Sequence, residues 1–295
     1  MPRSFRFGVV ATYAHSHTAW VSTARKAEEL GYSTLLIPDR TTGGILAPIP
    51  ALAVAAEATN VLRLGSYVIA NGYRHPVLLA REAATLDLLS GGRFELGLGA
   101  GVSPSEFQHM GLPFPNAGAR VSQLEETLQL LKLLFTEETV NFSGKYFTVT
   151  DLKGTIRTVQ QPHPPLLIAG AGERMLKLAA REANIIAIGS KISAQGKDPS
   201  DPPLEQKIAW IKESAGPREA NLELSQTVYD LEITDSKAAL PAQTGGWVVS
   251  RRPCSIEQAV ELLLEQRERY GFSYLQIQAT QMENFAPVVA RLVGK

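Results

Sequence analysis

The 295-residue chain is 44% hydrophobic and 20% charged, and its 29 basic and 29 acidic side chains give a formal net charge of zero. This composition supports a packed core and excludes wholesale disorder. Without a basic surplus, nucleic acid is not an expected ligand.

The single cysteine, Cys254, excludes an intramolecular disulfide and a multi-thiolate metal site. No apolar run reaches the ~20 residues that span a bilayer. The stretch Phe7 to Ala11 is too short for a signal-peptide core. A cytoplasmic protein without a membrane partner is expected.

Short apolar runs alternate with helical patterns, the signature of βαβ units. Phe5 to Val10 reads as the first strand, and a helix follows from about Thr18 to Leu30, stopping at Gly31. Thr34 to Ile37 is the second strand, Ile49 to Thr59 a helix, and Leu62 to Ile69 the third strand. Pro76 suits the first turn of the next helix, which ends before Gly91-Gly92.

In the fourth strand, Phe94 to Leu98, Phe94, Leu96 and Leu98 share one face, while Glu95, Gly97 and Gly99 share the other. The glycines either leave room for a ligand inside a barrel or relieve crowding there. Val121, Leu124, Leu128, Leu131 and Phe135 mark an amphipathic helix. Thr139 to Thr150 reads as a hairpin, followed by strands at Leu166 to Ala169 and Ile185 to Ile188 around a helix from Gly172 to Ala183.

Ser190 to Pro203 is polar and proline-rich, Leu204 to Ala215 helical, and Leu222 to Ile233 strand-like without clear boundaries. Ser255 with Gln258 forms a capping-box signal for the helix ending at Gly271. Tyr274 to Ile277 and Phe285 to Val293 complete the series. About eight alternations without a composition break predict one α/β domain over 1–295, a (β/α)8 TIM barrel, in preference to an open doubly wound sheet. Insertions are expected near 103–117, 136–165 and 190–220.

Two glycine-rich strand ends are candidate phosphate sites: Gly97-Leu98-Gly99-Ala100-Gly101 and Ala169-Gly170-Ala171-Gly172. Neither is a dinucleotide fingerprint, because Val102 and Met175 stand where a third glycine would be needed. The second is the stronger candidate, with Glu173 opposing an anion and Arg174 able to assist.

Asp39 and Arg40 follow the second strand at the end where barrel enzymes place their chemistry. They read either as groups that hydrogen-bond a heterocycle or as an ordinary loop ion pair. His15 and His17 follow the first strand, but no metal motif accompanies them and no metal is expected. Arg74 and Tyr73 stand before the third helix and either line the same mouth or are ordinary polar loop residues. A serine hydrolase is excluded, since no G-x-S-x-G elbow exists.

The segments Leu36-Ile37-Pro38-Asp39, Leu64-Gly65-Ser66, Arg74-His75-Pro76-Val77-Leu78-Leu79-Ala80, Leu86 to Phe94 and Leu98-Gly99-Ala100-Gly101 together resemble the luciferase-like monooxygenase superfamily. Within it the chain looks most like deazaflavin (coenzyme F-420) dependent oxidoreductases of actinobacteria. The likeness continues through Pro162-His163-Pro164-Pro165 and Gly170-Ala171-Gly172 to Phe285-Ala286-Pro287-Val288.

The resemblance implies a deazaflavin or flavin ring at the C-terminal mouth of the barrel, with Asp39 near the ring. Ser66-Tyr67-Val68 matches a bulge that carries a non-prolyl cis peptide in many relatives, and Ala70 beside it is counted with the cofactor-binding residues. Gly99, Ala100, Gly101 and Val102, and Gly170, Ala171 and Gly172, match segments along the cofactor tail and phosphate. Arg40 stands where several deazaflavin enzymes have histidine, and Val102 where one subgroup has an acid. The acid–base pair of a sugar-phosphate dehydrogenase is therefore not expected.

Arg40, always cationic, is a poor general base and a candidate for an anionic edge of ring or substrate. Asp39, Arg40 and His15 are the catalytic candidates, with His15 as proton donor. The implied function is hydride transfer between coenzyme F-420 and an unidentified small organic substrate, in a homodimer. The alternatives are an FMN-dependent monooxygenase and a barrel that binds flavin or deazaflavin without turnover.

Overall fold

Eight parallel strands close on themselves in the computed structural model, which describes residues 3–154, 156–193, 196–228, 231–235 and 252–295. The strands are β1 (Arg6–Val10), β2 (Thr34–Ile37), β3 (Arg63–Ser66, resuming at Ile69–Ala70), β4 (Phe94–Gly99), β5 (Leu166–Gly170), β6 (Ile185–Ile188), β7 (Glu223–Thr227) and β8 (Phe272–Gln278). Neighbours in sequence are neighbours in space, and β1 pairs with β8 to complete the ring.

Each strand is followed by a helix: α1 (His17–Glu29), α2 (Pro48–Ala58), α3 (Pro76–Leu89), α4 (Ala117–Thr136), α5 (Glu173–Glu182), α6 (Leu204–Ala215), α7 (Ile256–Tyr270) and α8 (Met282–Leu292). The expected (β/α)8 barrel is the observed fold.

Local chemistry explains the helix ends. The Ser16 and Asn116 side chains accept from the backbone at Ala19 and Ala119, satisfying first-turn amides of α1 and α4. Ser255 and Gln258 make the predicted capping box, and Gly271 takes the left-handed conformation at φ 82°.

Phe94, Leu96 and Leu98 face the helices in the outer hydrophobic layer. A smaller inner cluster of Val10, Leu36, Leu167, Ile185, Ala187 and Tyr274 fills the barrel, with Tyr67, Val68 and Ala169 against it.

Several elements depart from the sequence expectation. The third strand breaks after Ser66, where the Tyr67–Val68 peptide is cis, as the resemblance implies. This bulge leans onto β4: Ser66 Oγ donates to the Gly97 carbonyl and accepts from the Gly97 amide at 2.9 and 2.8 Å. A Cβ on Gly97 would strike the Ser66 carbonyl, and one on Gly99 would lie 2.8 Å from Val68 Cγ2. The glycines thus relieve crowding against the bulge.

The run from Leu222 to Ile233 spans two strands. Glu223–Thr227 belongs to the barrel, whereas Leu231–Ile233 pairs with Arg252–Cys254 in a separate sheet. The span 190–220 is also not wholly an insertion, because it contains α6. The hairpin is present as Thr139–Ser143 paired with Thr148–Lys153, and 103–117 holds a short helix, Pro104–His109.

Candidate active site at the barrel mouth

The loops after the strands' C-terminal ends converge on one rim. Asp39 follows β2 and Pro38, and its carboxylate is 7% exposed. Its Oδ2 accepts from Arg74 Nη1 at 2.6 Å and from the Ala70 amide at 3.3 Å, while Oδ1 accepts from Arg74 Nη2 at 3.3 Å. This two-pronged pairing fixes the β2 loop against the end of β3.

Arg40, adjacent in sequence, pairs elsewhere. Its Nε donates to Glu106 Oε1 at 2.7 Å, and Thr42 Oγ1 donates to the same oxygen at 3.0 Å. Tyr73 donates its hydroxyl to Glu106 Oε2 at 2.9 Å. Asp39 and Arg40 are therefore two halves of two different pairs.

Burial alone would raise the Glu106 carboxyl, but hydrogen bonds from Arg40, Tyr73 and Thr42, with the Arg40 charge, hold it below its ordinary value. Burial, and then the bond to Glu106, push the Tyr73 phenol above its ordinary value, so Tyr73 remains a proton-bearing donor.

At the floor of the mouth, Tyr67 OH meets Thr227 Oγ1 at 2.9 Å and donates to Gln276 Oε1 at 3.1 Å. Gln276 Nε2 donates to Ser225 Oγ at 2.6 Å, which turns its carbonyl toward Tyr67. Val68 and Ala169 complete a surface that is apolar on one side and hydrogen-bonding on the other.

The glycine-rich segments frame this floor. Gly101 has φ 82°, packs on the Phe107 ring, and offers its carbonyl to Arg120 Nε at 3.3 Å. Val102 beyond it is 84% exposed. Gly170 ends β5 against the Met175 side chain. Gly172 opens α5 without a side-chain cap, and nothing lies within 4 Å of where its Cβ would be.

Amides at such an uncapped helix start, beside a Gly172 that presents no side chain, suit an anionic group. Glu173 does not crowd it, being paired with Lys177 at 2.9 Å. Arg174 is committed to Gly118 O and Ser122 Oγ at 2.7 and 2.6 Å.

The structure brings Asp39, Ser66, Tyr67, Val68, Ala70, Gly99 and Gly170 to the strand ends of one rim. His15 lies exposed on the loop between β1 and α1, which the Leu46-to-Thr12 backbone bond ties to the β2 loop at 3.0 Å. Glu106, Thr227 and Gln276 escaped the sequence reading. Alternation in β7 and β8 was an available signal for the last two, because Ser225, Thr227 and Gln276 interrupt inward positions with polar groups. Glu106 had no such signal, since its short helix follows a loop of no fixed period.

Among the described residues, no group of three or more His, Cys, Asp or Glu is arranged to hold a metal ion. No helix among them is long and apolar enough to cross a membrane.

Known proteins resemble this chain in sequence and fold. The chain is 34% identical over 171 residues to the F-420-dependent glucose-6-phosphate dehydrogenase of Amycolatopsis mediterranei, covering 55% of this chain and 50% of that protein. It thus spans about half the length of that curated relative. It is 29% identical over 272 residues to the F-420-dependent hydroxymycolic acid dehydrogenase of Mycobacterium tuberculosis, covering 88% and 73% of the two chains.

The solved coenzyme F-420 dependent tetrahydromethanopterin reductase from Methanopyrus kandleri superposes with a TM-score of 0.78 over 99% of both chains at 18% identity, a likeness of fold. The family described as luciferase-like monooxygenase matches residues 5–197, and by that match, over strands and rim loops already seen to close one barrel mouth, the chain belongs to the luciferase-like monooxygenase family.

Proposed function

We propose that this chain is an oxidoreductase that transfers a hydride between coenzyme F-420 and a small organic substrate, acting as one luciferase-like domain in a cytoplasmic homodimer. The observation that carries the reading is the convergence of Asp39, the Tyr67–Val68 bulge, Gly99–Val102 and Gly170–Gly172 on one rim. These segments are distant in sequence and are the ones the family resemblance assigns to the cofactor. The F-420-dependent names of relatives that align with 55% and 88% of the chain support the choice of cofactor.

Coenzyme F-420, when bound, supplies the hydride chemistry, and the protein supplies binding, orientation and exclusion of water. Tyr67, Val68 and Ala169 would support the ring, with Ser66 and Ala70 holding the bulge in place. Asp39, held by Arg74, sets the rim beside it. Gly99, Ala100, Gly101 and Val102 would border the tail, and the amides at Gly170, Ala171 and Gly172 would receive its phosphate. His15 donates a proton to the substrate. Arg40, its charge balanced by Glu106, presents donors to the ring or substrate edge.

The exposed apolar side chains Val54, Leu78 and Leu89 of α2 and α3 support the homodimer. Sedimentation of the double variant L78E/L89E should show a monomer; an unchanged wild-type monomer or an undisturbed dimer refutes this part.

The experiment is fluorescence titration of the purified protein with F-420 and FMN at equal ionic strength, followed by turnover under air and under nitrogen. Selective F-420 binding with oxygen-insensitive oxidation of reduced F-420 is expected. Selective FMN binding with oxygen consumption overturns it in favour of a monooxygenase. Binding of neither overturns both.

A further inference from the structure

Lys207 lies in the first turn of α6 and is 3% exposed, an uncommon fate for a lysine. Its ammonium donates to the Gly189 carbonyl at 2.8 Å and to Asp201 Oδ1 at 2.7 Å, and the Asp201 side chain is 1% exposed. The same Asp201 oxygen accepts from the Lys191 amide at 2.9 Å. One cation thereby gathers both ends of the connection between β6 and α6.

The far side of Gly189 is equally constrained. Its amide donates to the Gly170 carbonyl at 2.8 Å, just past the last β5–β6 partners, Gly170 and Ile188. Gly170 leads through Ala171 into Gly172, the uncapped start of α5. Two hydrogen bonds, joined through the Gly189 backbone, therefore link a buried ammonium on α6 to the loop that opens α5.

A buried ion pair is an inefficient way to gain stability, because desolvating two charges offsets most of their attraction. Its advantage over an apolar side chain here is directional: the ammonium holds a carbonyl at a defined position.

We propose that Lys207 is a positioning residue that, through Gly189, fixes the Gly170–Gly172 loop in the geometry that receives the phosphate of the cofactor tail. This rests on the F-420 reading above. Lys207 touches neither ring nor substrate, so its removal should change affinity for the tail and leave the ring's binding and chemistry alone.

The test uses the double variant K207M/D201N, which removes both buried charges together while Asn keeps an acceptor for the Lys191 amide. Fluorescence titration compares F-420 with the deazaflavin ribitol fragment that lacks the phosphate. The dissociation constant for F-420 should rise about tenfold, as when a preorganised site must be ordered on binding. That for the fragment should stay unchanged, as should kcat at saturating F-420. K207R, which keeps a cationic donor, should recover part of the affinity.

Hydrogen exchange at the Gly189 amide should quicken in the double variant, with barrel-strand amides unaffected. Equal weakening of both ligands, unchanged F-420 affinity, or unchanged Gly189 exchange overturns the proposal. Wild-type protein that binds neither ligand overturns the cofactor reading and the tail assignment with it, while the exchange measurement still judges the lock.

Discussion

Both ends of the barrel interior carry arginine–carboxylate pairs, but the two sets are anchored differently. At the N-terminal end, Arg6 of β1 donates to Glu223 of β7 at 2.8 and 2.6 Å and to Glu95 of β4 at 2.6 Å. Arg63 of β3 reaches the same Glu95 oxygen at 2.6 Å. The Arg6 guanidinium also lies 3.5 Å from the centre of the Tyr274 ring of β8. Every member sits on a strand, so the network ties five strands together.

Burial alone would raise the Glu95 carboxyl, but Arg6 and Arg63 hold it below its ordinary value. At the mouth, Asp39, Arg40, Arg74 and Tyr73 sit on loops or short turns, and Glu106 on a short helix. The closed end thus spends its charges on holding the barrel. The open end uses them to place loops, which can change without unfolding the ring.

The contrast can be broken most directly at Glu95. Glu95→Gln removes the buried carboxylate that pairs with Arg63 and one of the two that pair with Arg6, and should cost about 3–5 kcal/mol, read as a shift in urea midpoint. A loss well under that range would mean the lower network does not carry the barrel.

Gly97→Ala probes the seam between the two ends, since its Cβ meets the Ser66 carbonyl. It should cost about 1–3 kcal/mol by overpacking and weaken F-420 binding by displacing the bulge. Retained affinity would separate the bulge from the cofactor site.

Asp39→Asn removes the carboxylate charge facing Arg74. The expected cost is about 1–2 kcal/mol in stability, with an F-420 dissociation constant raised about tenfold. A stability loss as large as that of Glu95→Gln would erase the distinction between the ends.

Glu106 gives a pH signature. Its carboxyl is lowered in the folded protein, so its stabilising contribution is complete above the unfolded carboxyl value of about 4.3. The contribution is lost as pH falls through the still lower folded value. Glu106→Gln should therefore flatten the acid limb of the stability profile below about pH 4.3 and leave its pH dependence near neutrality unaltered. Urea midpoints measured from pH 3 to 7 would show this.

His15→Ala should shift stability by no more than about 0.5 kcal/mol, because the side chain is exposed. If it donates the substrate proton, kcat should fall about 10²-fold. Unchanged turnover would direct attention to Tyr73, whose hydroxyl stays protonated at the same rim.

Much of the architecture is legible in the sequence. Thr34–Ile37, Ile185–Ile188 and Leu204–Ala215 stand as the apolar pattern placed them. The capping box at Ser255 marked the start of α7 to the residue. The sequence predicts an unbroken third strand because the apolar run of Leu62 to Ile69 contains no glycine or proline after Gly65. Its interruption depends on β4, where Gly97 leaves the space that the Ser66 carbonyl fills.

Similarly, Asp39 and Arg40 are neighbours in sequence and invite reading as one pair. Which cation faces which carboxylate depended on where the β3 and β4 loops returned, bringing Arg74 and Glu106 from other parts of the chain.

What the sequence by itself determined is the alternation of strands and helices, their caps, and a family likeness that marks the rim segments. These are properties of short stretches, set by backbone conformation and the period of side chains. What only the tertiary structure decided is the pairing of charges: Asp39 with Arg74, Arg40 with Glu106, and Lys207 with Gly189 and Asp201. A charge buried among loops takes the partner that reaches it once the barrel has closed, and proximity along the chain does not predict which partner that is.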